Sequence, residues 1–280
     1  MKKPPEGGVI KLRIRTLLMV DPTTVSHFCI HIKYASRCYP PPPPNFIVNS
    51  FLHRDLAEFY LRQKLNPQRR NYIPSKQIPK IIHYAWFGSA AMPAICQQCI
   101  DSWHKIHPDW EFMLWNESNF PFDLYPYAKE ALENKCWAFI SDVARLHAVY
   151  NHGGVYLDTD VKTIKSFNDL LNLGCFACFQ GPSQIATSTI GAKQYHPYVG
   201  LLLDWYRMIH LRNAYLRVAN VRFISKITRL FYGIKLQGKQ LSLYDDVRIF
   251  PREYFTPENI DGNWKVTTNT YAIHISTGMW

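Results

Sequence analysis

Three features of the chain predict an α/β fold with a mainly parallel central sheet. The first is the near-continuous apolar run Ile81–Phe87, entered through Ile78-Pro79-Lys80 and closed by Gly88, which suits a strand buried on both faces. The second is the downstream series: an amphipathic helical segment at Pro93–His107, a short strand at Glu111–Trp115 and a helical segment at Tyr127–Lys135. Strand, helix, strand, helix is the alternation of a parallel sheet. The third is a change of period within residues 138–162. Phe139, Val143, Leu146 and Tyr150 recur at helical spacing, and Asn151-His152-Gly153-Gly154 supplies residues that end helices. Strand alternation then sets Val155, Leu157, Thr159 and Val161 on one side and Tyr156, Asp158, Asp160 and Lys162 on the other.

That last stretch carries the chemistry. Asp142 and Arg145, three residues apart, share a helix face distinct from the apolar one. Open parallel sheets bind ligands beyond the carboxyl ends of their strands, which is where Trp86, Phe87 and Gly88, and Asp158 and Asp160, fall. Two neighbouring carboxylates repel each other, so a site that keeps both ionised usually holds a cation. Hard oxygen ligands favour Mg²⁺ or Mn²⁺, and such an ion can hold a diphosphate in turn. Arg145 offers a charge-assisted contact to phosphate or to a sugar hydroxyl. An Asp-x-Asp triplet alone says little. Here a Gly-Gly turn, a strand and a Ser-Asp-x-x-Arg helix converge on it.

Elsewhere the reading is coarser. Lys11–Val20 and His27–Tyr34 are weak strand candidates, Pro40–Pro44 is a stiff spacer, and Ser50–Leu65 has helical spacing. Phe176–Phe179 reads as a strand, Ser188–Ala192 as the lead into a helix at Tyr198–His210, and residues 211–240 as helical, basic and apolar. Val247–Phe250 with Tyr254-Phe255 forms a strand and turn, and Tyr271–Ile275 a final strand. The organisation expected is a basic, Pro-rich extension at 1–76 and an α/β domain at 77–280.

Composition excludes other classes. With 47% apolar and 15% aromatic residues in 280, the chain can bury a large core and is not globally disordered. There is no run of eighteen apolar residues, so no transmembrane helix is expected, and Thr16–Val20 is a poor signal peptide. Seven cysteines, an odd number, do not suggest a disulfide framework, which makes a reducing cytoplasm the expected setting. Cys96/Cys99 and Cys175/Cys178 have zinc-like spacing but lie on a helix and in an aromatic strand, where buried small apolar residues are the better account. Residues 1–77 hold 13 Lys/Arg against 4 Asp/Glu, and residues 78–280 hold 19 against 17, so most of the net +11 sits in the N-terminal segment. Such a segment suits contact with an anionic lipid surface, with nucleic acid the less expected partner.

The ordered series Ile78–Gly88, Ser102-Trp103, Pro108-Asp109-Trp110-Glu111, Trp115-Asn116-Glu117, Ala138–Arg145 and Gly153–Asp160 resembles the DXD-containing sugar transferases, family 32 of the glycosyltransferases. That family includes capsule and lipopolysaccharide transferases and the yeast initiating mannosyltransferase. The resemblance implies a GT-A fold, a Rossmann-like nucleotide-binding sheet with a metal-dependent, retaining transferase. The donor would be a UDP- or GDP-linked hexose and the acceptor a hydroxyl of a glycan or lipid-linked molecule. Surface polysaccharide synthesis, in the cytoplasm or at the inner face of the membrane, would be the setting. By motif match, Asp142, Arg145, Asp158 and Asp160 form the catalytic group. Donor contacts come from His83, Trp86, Gly88, Asp142, Arg145, Tyr156 and Trp280, with Trp86 stacked on the base. Asp158, Asp160 and His274 hold Mn²⁺ or Mg²⁺. Met279 stands where the family has a serine, and a thioether is a poor Mn²⁺ ligand, so either that contact is absent or another group, Ser276 or Thr277, replaces it. Two other readings fit the same residues: a metal-dependent nucleotide or nucleotide-sugar phosphohydrolase, and a non-enzymatic binder acting through the basic N-terminus.

Overall fold

A computed structural model describes residues 45–64, 75–213 and 219–278. Helix α1 (Asn45–Lys64) comes first, followed by β1 (Ile81–Ala85), α2 (Ala94–Ile106) and β2 (Glu111–Trp115). Helices α3 (Pro126–Glu133) and α4 (Trp137–His152) lead into β3 (Gly154–Leu157), β4 (Val161–Thr163), β5 (Cys175–Phe179) and β6 (Ile185–Ala192). Then come α5 (Pro197–Met208), α6 (Val221–Tyr232), β7 (Leu241–Leu243), β8 (Val247–Phe250), the short β9 (Asn259–Ile260) and β10 (Asn263–Trp264), and β11 (Ala272–His274). The candidate strands in residues 11–34, the proline run, Met279 and Trp280 lie outside the described residues.

The seven-stranded sheet has the order β2-β1-β3-β6-β5-β8-β7. Strands β2, β1, β3, β5 and β8 point one way, while β6 and β7 run against them. The α/β expectation is met, with one correction in its middle. Residues 188–192 do not simply lead into a helix; they are the second half of an eight-residue strand wedged between β3 and β5. Among the described residues of 211–240, Val221–Tyr232 is helical, ended by Gly233 in the left-handed conformation, and residues 234–240 are not helical.

Strands β3, β5 and β6 are buried along their whole length. On one face, Ile82, Val155, Leu157 and Phe176 pack with Cys99, Ile100 and Trp103 of α2. On the other lies α4, whose turns from Ile140 to Val149 are buried all round. The apolar stripe expected on α4 is therefore incomplete as a description. Phe139 and Tyr150 are only half-buried, while the polar Asp142 and Arg145 are buried. Helix α1 packs on the same side: Phe59, 1% exposed, sets its ring edge-on to Trp205 of α5 and Phe231 of α6 at 5.4 and 5.7 Å. Phe59→Ala should cost about 3–5 kcal/mol in urea unfolding. An unchanged midpoint would show that α1 contributes nothing to the core.

Four buried histidines, His83, His107, His147 and His196, are held neutral, each pulled down to about 4 by burial. Each offers a ring nitrogen as acceptor: to Trp115 Nε1, Phe167 N, Tyr125 Oη and Tyr198 N respectively. Between about pH 6.5 and 4 the unfolded chain binds protons that the folded chain refuses. Each histidine therefore withdraws about 1.4 kcal/mol of stability per unit as pH falls through that window. Asp142, raised to about 7 chiefly by burial, and Asp158, raised by burial as well, have the opposite sign and offset part of this loss. Acid titration followed by thermal unfolding should show a steep fall in Tm from pH 6.5 to 4.5, and a flat profile would contradict this assignment.

Candidate metal and anion site

The site sits at the carboxyl ends of β1 and β3, and the turn after β3 builds it. Gly153 (φ 68°) and Gly154 (φ 96°) take the chain from α4 into β3, and a Cβ on Gly154 would lie 2.6 Å from the carbonyl oxygen of Ile81. Only glycine fits there. Along β3, Val155 and Leu157 face α2, whereas the Tyr156 ring lies 5.2 Å beneath the Arg145 guanidinium of α4. After Leu157 the strand stops. Asp158, Thr159 and Asp160 form a tight turn closed by Val161 N donating to Asp158 O at 2.9 Å, so the two aspartates flank a turn and do not alternate along one strand.

Arg145 gathers the acids. Its Nη2 is 3.1 Å from Asp142 Oδ1 and 3.0 Å from Asp158 Oδ1; Nη1 donates to Thr187 Oγ1 at 3.1 Å, and Nε to Ser141 O at 3.2 Å. All three charged groups are at most 8% exposed. Burial pushes the Asp158 carboxyl upward as it does that of Asp142, with Arg145 opposing. Thr187 is positioned in turn by Asn220, whose Nδ2 donates to its Oγ1 at 2.7 Å from the residue preceding α6. Neither Thr187 nor Asn220 carries a motif that sequence reading would single out.

Asp160 is organised from the other direction. Strand β11 pairs antiparallel with β4, placing His274 opposite Val161, and Ile275 N donates to Asp160 O at 3.0 Å. That register brings His274 Nε2 to 3.3 Å from Asp160 Oδ1, while Thr277 donates both its amide and its hydroxyl to Asp160 Oδ2, each at 3.0 Å. Burial works against charge on Asp160, but His274 and Thr277 outweigh it and hold the carboxyl down to about 2. His274 is raised by the two aspartates against its own burial. Ser276 Oγ lies 3.3 Å from His274 Nδ1.

Asp158, Asp160 and His274 form the one His/Cys/Asp/Glu group among the described residues with metal-ligand proximity, their ligand atoms all within 4.8 Å of one another. The donors fit a divalent cation. Asp158 Oδ1 and Asp160 Oδ1 are buried and accept no well-directed hydrogen bond, although Arg145 Nη2 stands near the first and His274 Nε2 near the second. Two carboxylates with one imidazole suit Mn²⁺ or Mg²⁺ better than a softer ion. The cysteine pairs do not compete. Cys96, Cys99, Cys175 and Cys178 are buried free thiols, with Cys99 and Cys178 pushed up to about 12 by burial.

The remaining sequence candidates divide. Tyr156 joins the Arg145 cluster. Trp86 follows β1 at the same sheet edge, half-buried, with its Nε1 donating to Ala90 O at 2.8 Å. Gly88 (φ 88°) donates its amide to Glu117 Oε1 at 2.5 Å, and a Cβ there would meet the Trp137 ring at 2.8 Å. His83 stands apart from the acids: Nε2 donates to Gly153 O at 2.8 Å and Nδ1 accepts from Trp115, so it ties the Gly-Gly turn to β1 and β2. Trp280 is outside the described residues.

Against known proteins, residues 93–177 match the family described as glycosyltransferase sugar-binding region containing DXD motif. The chain is 30% identical over 141 residues to inositol phosphoceramide mannosyltransferase 3 of Schizosaccharomyces pombe, covering 45% of this chain and 36% of that protein. It is 28% identical over 177 residues to mannosyltransferase 2 of the same name and organism, covering 52% and 47%. The chain thus spans less than half the length of these two curated relatives. An uncharacterized glycosyltransferase, L373, of Acanthamoeba polyphaga mimivirus is 26% identical over 222 residues, covering 72% of this chain and 84% of that one. Among solved structures, PaToxG glycosyltransferase superposes with a TM-score of 0.45 at 16% identity, over 66% of this chain and 80% of that one. The region that matches the DXD family includes α4, β3 and the Asp158–Asp160 turn, the elements that build the site.

Removing Arg145 leaves two buried carboxylates without their cation. Arg145→Met should destabilise the fold by about 3–5 kcal/mol, measured by urea unfolding at pH 8. A loss under about 1 kcal/mol would mean that water already solvates the acids.

Proposed function

We propose that the chain is a metal-dependent, retaining glycosyltransferase that moves a hexosyl group from a nucleotide-sugar to a hydroxyl of a glycan or lipid-linked acceptor. The observation that carries this reading is the Asp158–Asp160–His274 group next to the buried Arg145 at the carboxyl edge of the sheet. The similarity to two inositol phosphoceramide mannosyltransferases favours mannose as the sugar. The α/β architecture, with five co-directional strands, suits a GT-A type nucleotide-binding domain.

When bound, a divalent ion at Asp158, Asp160 and His274 would neutralise the leaving diphosphate. This chain's residues do the rest. Thr277 and the β4–β11 pairing fix the Asp160 carboxylate, so the ligand set is oriented before donor arrives. Arg145 supplies a fixed positive charge beside the position where negative charge grows. The carboxylates are all committed, Asp142 and Asp158 to Arg145 and Asp160 to His274 and Thr277. In this reading the departing phosphate, not a side chain, takes the acceptor proton.

Purified protein should be warmed in a thermal-shift panel of UDP- and GDP-sugars with and without Mn²⁺, where a true donor raises Tm only with the metal. Asp160→Ala should reduce transfer by at least a hundredfold while its unfolding curve still shows a single cooperative transition. Transfer that survives this variant or a chelator would sink the metal-dependent mechanism. Donor hydrolysis that no acceptor stimulates would point instead to a phosphohydrolase. An NMR spectrum of the product with the donor's anomeric configuration inverted would overturn retention.

A further inference from the structure

A second charged feature lies outside the carboxylate site. From Asp204 to Asp245 the chain contains no acidic residue, and residues 205–244 hold eight Lys/Arg. The other residues of 78–280 hold 11 Lys/Arg against 17 Asp/Glu, so a strongly cationic segment sits within an otherwise acidic domain.

The fold gathers part of this charge on one helix face. Arg222, Lys226 and Arg229 occupy i, i+4 and i+7 of α6, a single stripe. It lies opposite Phe223, Ile224, Ile227 and Thr228, which bury the helix against the core. Lys226 is half-buried and has no anionic partner among the described residues; burial, with Arg229 and Arg222 beside it, pulls it down to about 8. Arg229 is exposed, and half-buried Leu230 borders the stripe. Beyond the helix, Tyr244, 61% exposed, lies with its ring 4.3 Å from that of Tyr232. A row of cations edged by a leucine and an exposed tyrosine is the composition of a basic patch that meets lipid headgroups. Like charges gathered on one face repel one another in water and are favoured against a surface of phosphate esters. The stripe begins two residues after Asn220, which bonds Thr187 and through it Arg145.

We infer that the Arg222–Lys226–Arg229 face of α6 is a docking surface for anionic phospholipid headgroups. The inference does not depend on the chain being a transferase, because binding is read without donor or acceptor.

The test is sedimentation of the full chain with vesicles of neutral phosphatidylcholine, alone or with about 30% phosphatidylserine. The N-terminal segment is also basic, so the comparison is between variants of the same chain. Lys226→Gln/Arg229→Gln should weaken partitioning onto the anionic vesicles by about twenty-five-fold, from roughly fivefold per neutralised cation. Lys105→Gln/Lys135→Gln, an equal charge change at exposed positions elsewhere, should change it by less than about threefold. Equal effects of the two pairs, or none from the α6 pair, overturn the inference. So does tighter binding of a single-stranded oligonucleotide than of vesicles at the same salt, which assigns the stripe to another polyanion. In the unsubstituted protein, amide exchange within residues 221–232 should slow on adding anionic but not neutral vesicles, and unchanged exchange there also overturns it.

Discussion

One buried guanidinium holds the centre of this structure together. Arg145 comes from α4 and answers Asp142 on its own helix, Asp158 after β3, Thr187 on β6 and the ring of Tyr156. Burying a cation costs several kcal/mol unless charge and hydrogen bonds answer it, and here groups from three elements supply the answer together. The cost is tolerable because of its location. The same interaction that neutralises the interior aligns the middle of α4 with the ends of β3 and β6 at the sheet edge. Stability and the geometry of the site are therefore not separable at this residue, and any account of one is an account of the other.

The metal-ligand group depends on a second, independent constraint. Asp158 and Asp160 are fixed by the Gly-Gly turn and the bend after Leu157, whereas His274 arrives only through the β4–β11 register. A slip of one residue in that pairing would turn the imidazole to the opposite side of the strand. Thr277 guards against such a slip, since its two donors fit Asp160 Oδ2 only in the observed alignment.

Much of this is legible in the chain, and the exceptions have a physical pattern. Ile81–Ala85 and Cys175–Phe179 are apolar and buried, so composition and position agree. Ile185–Ala192 does not read as a full strand because Thr187, Ser188 and Thr189 interrupt its apolar character. They are buried nonetheless: Thr187 serves Arg145, and the Ser188 carbonyl accepts from Asp158 N. Asp142 and Arg145 read as one polar face of an amphipathic helix, and they are polar, but that face points into the site and not to water. Buried polar groups that satisfy one another look like solvent-facing residues in sequence, and this is the property that hides functional elements from pattern analysis. The acids and the arginine are still evident, because spacing reveals charge clusters whichever way they face. The roles of Thr187, Asn220 and the Thr277 amide emerge only from the folded structure.

The β4–β11 pairing also has a kinetic meaning. Asp160 and Thr277 are 117 residues apart, so their contact closes a loop far longer than the local contacts that form α4 or the turn after β3. The carboxylates can therefore be in place while their third partner is still absent. Asp158 then has Arg145 beside it, but Asp160 lacks His274 and Thr277 until residues 272–277 dock. The geometry of the three-residue group is thus a property of the finished tertiary structure and not of the Asp-x-Asp segment.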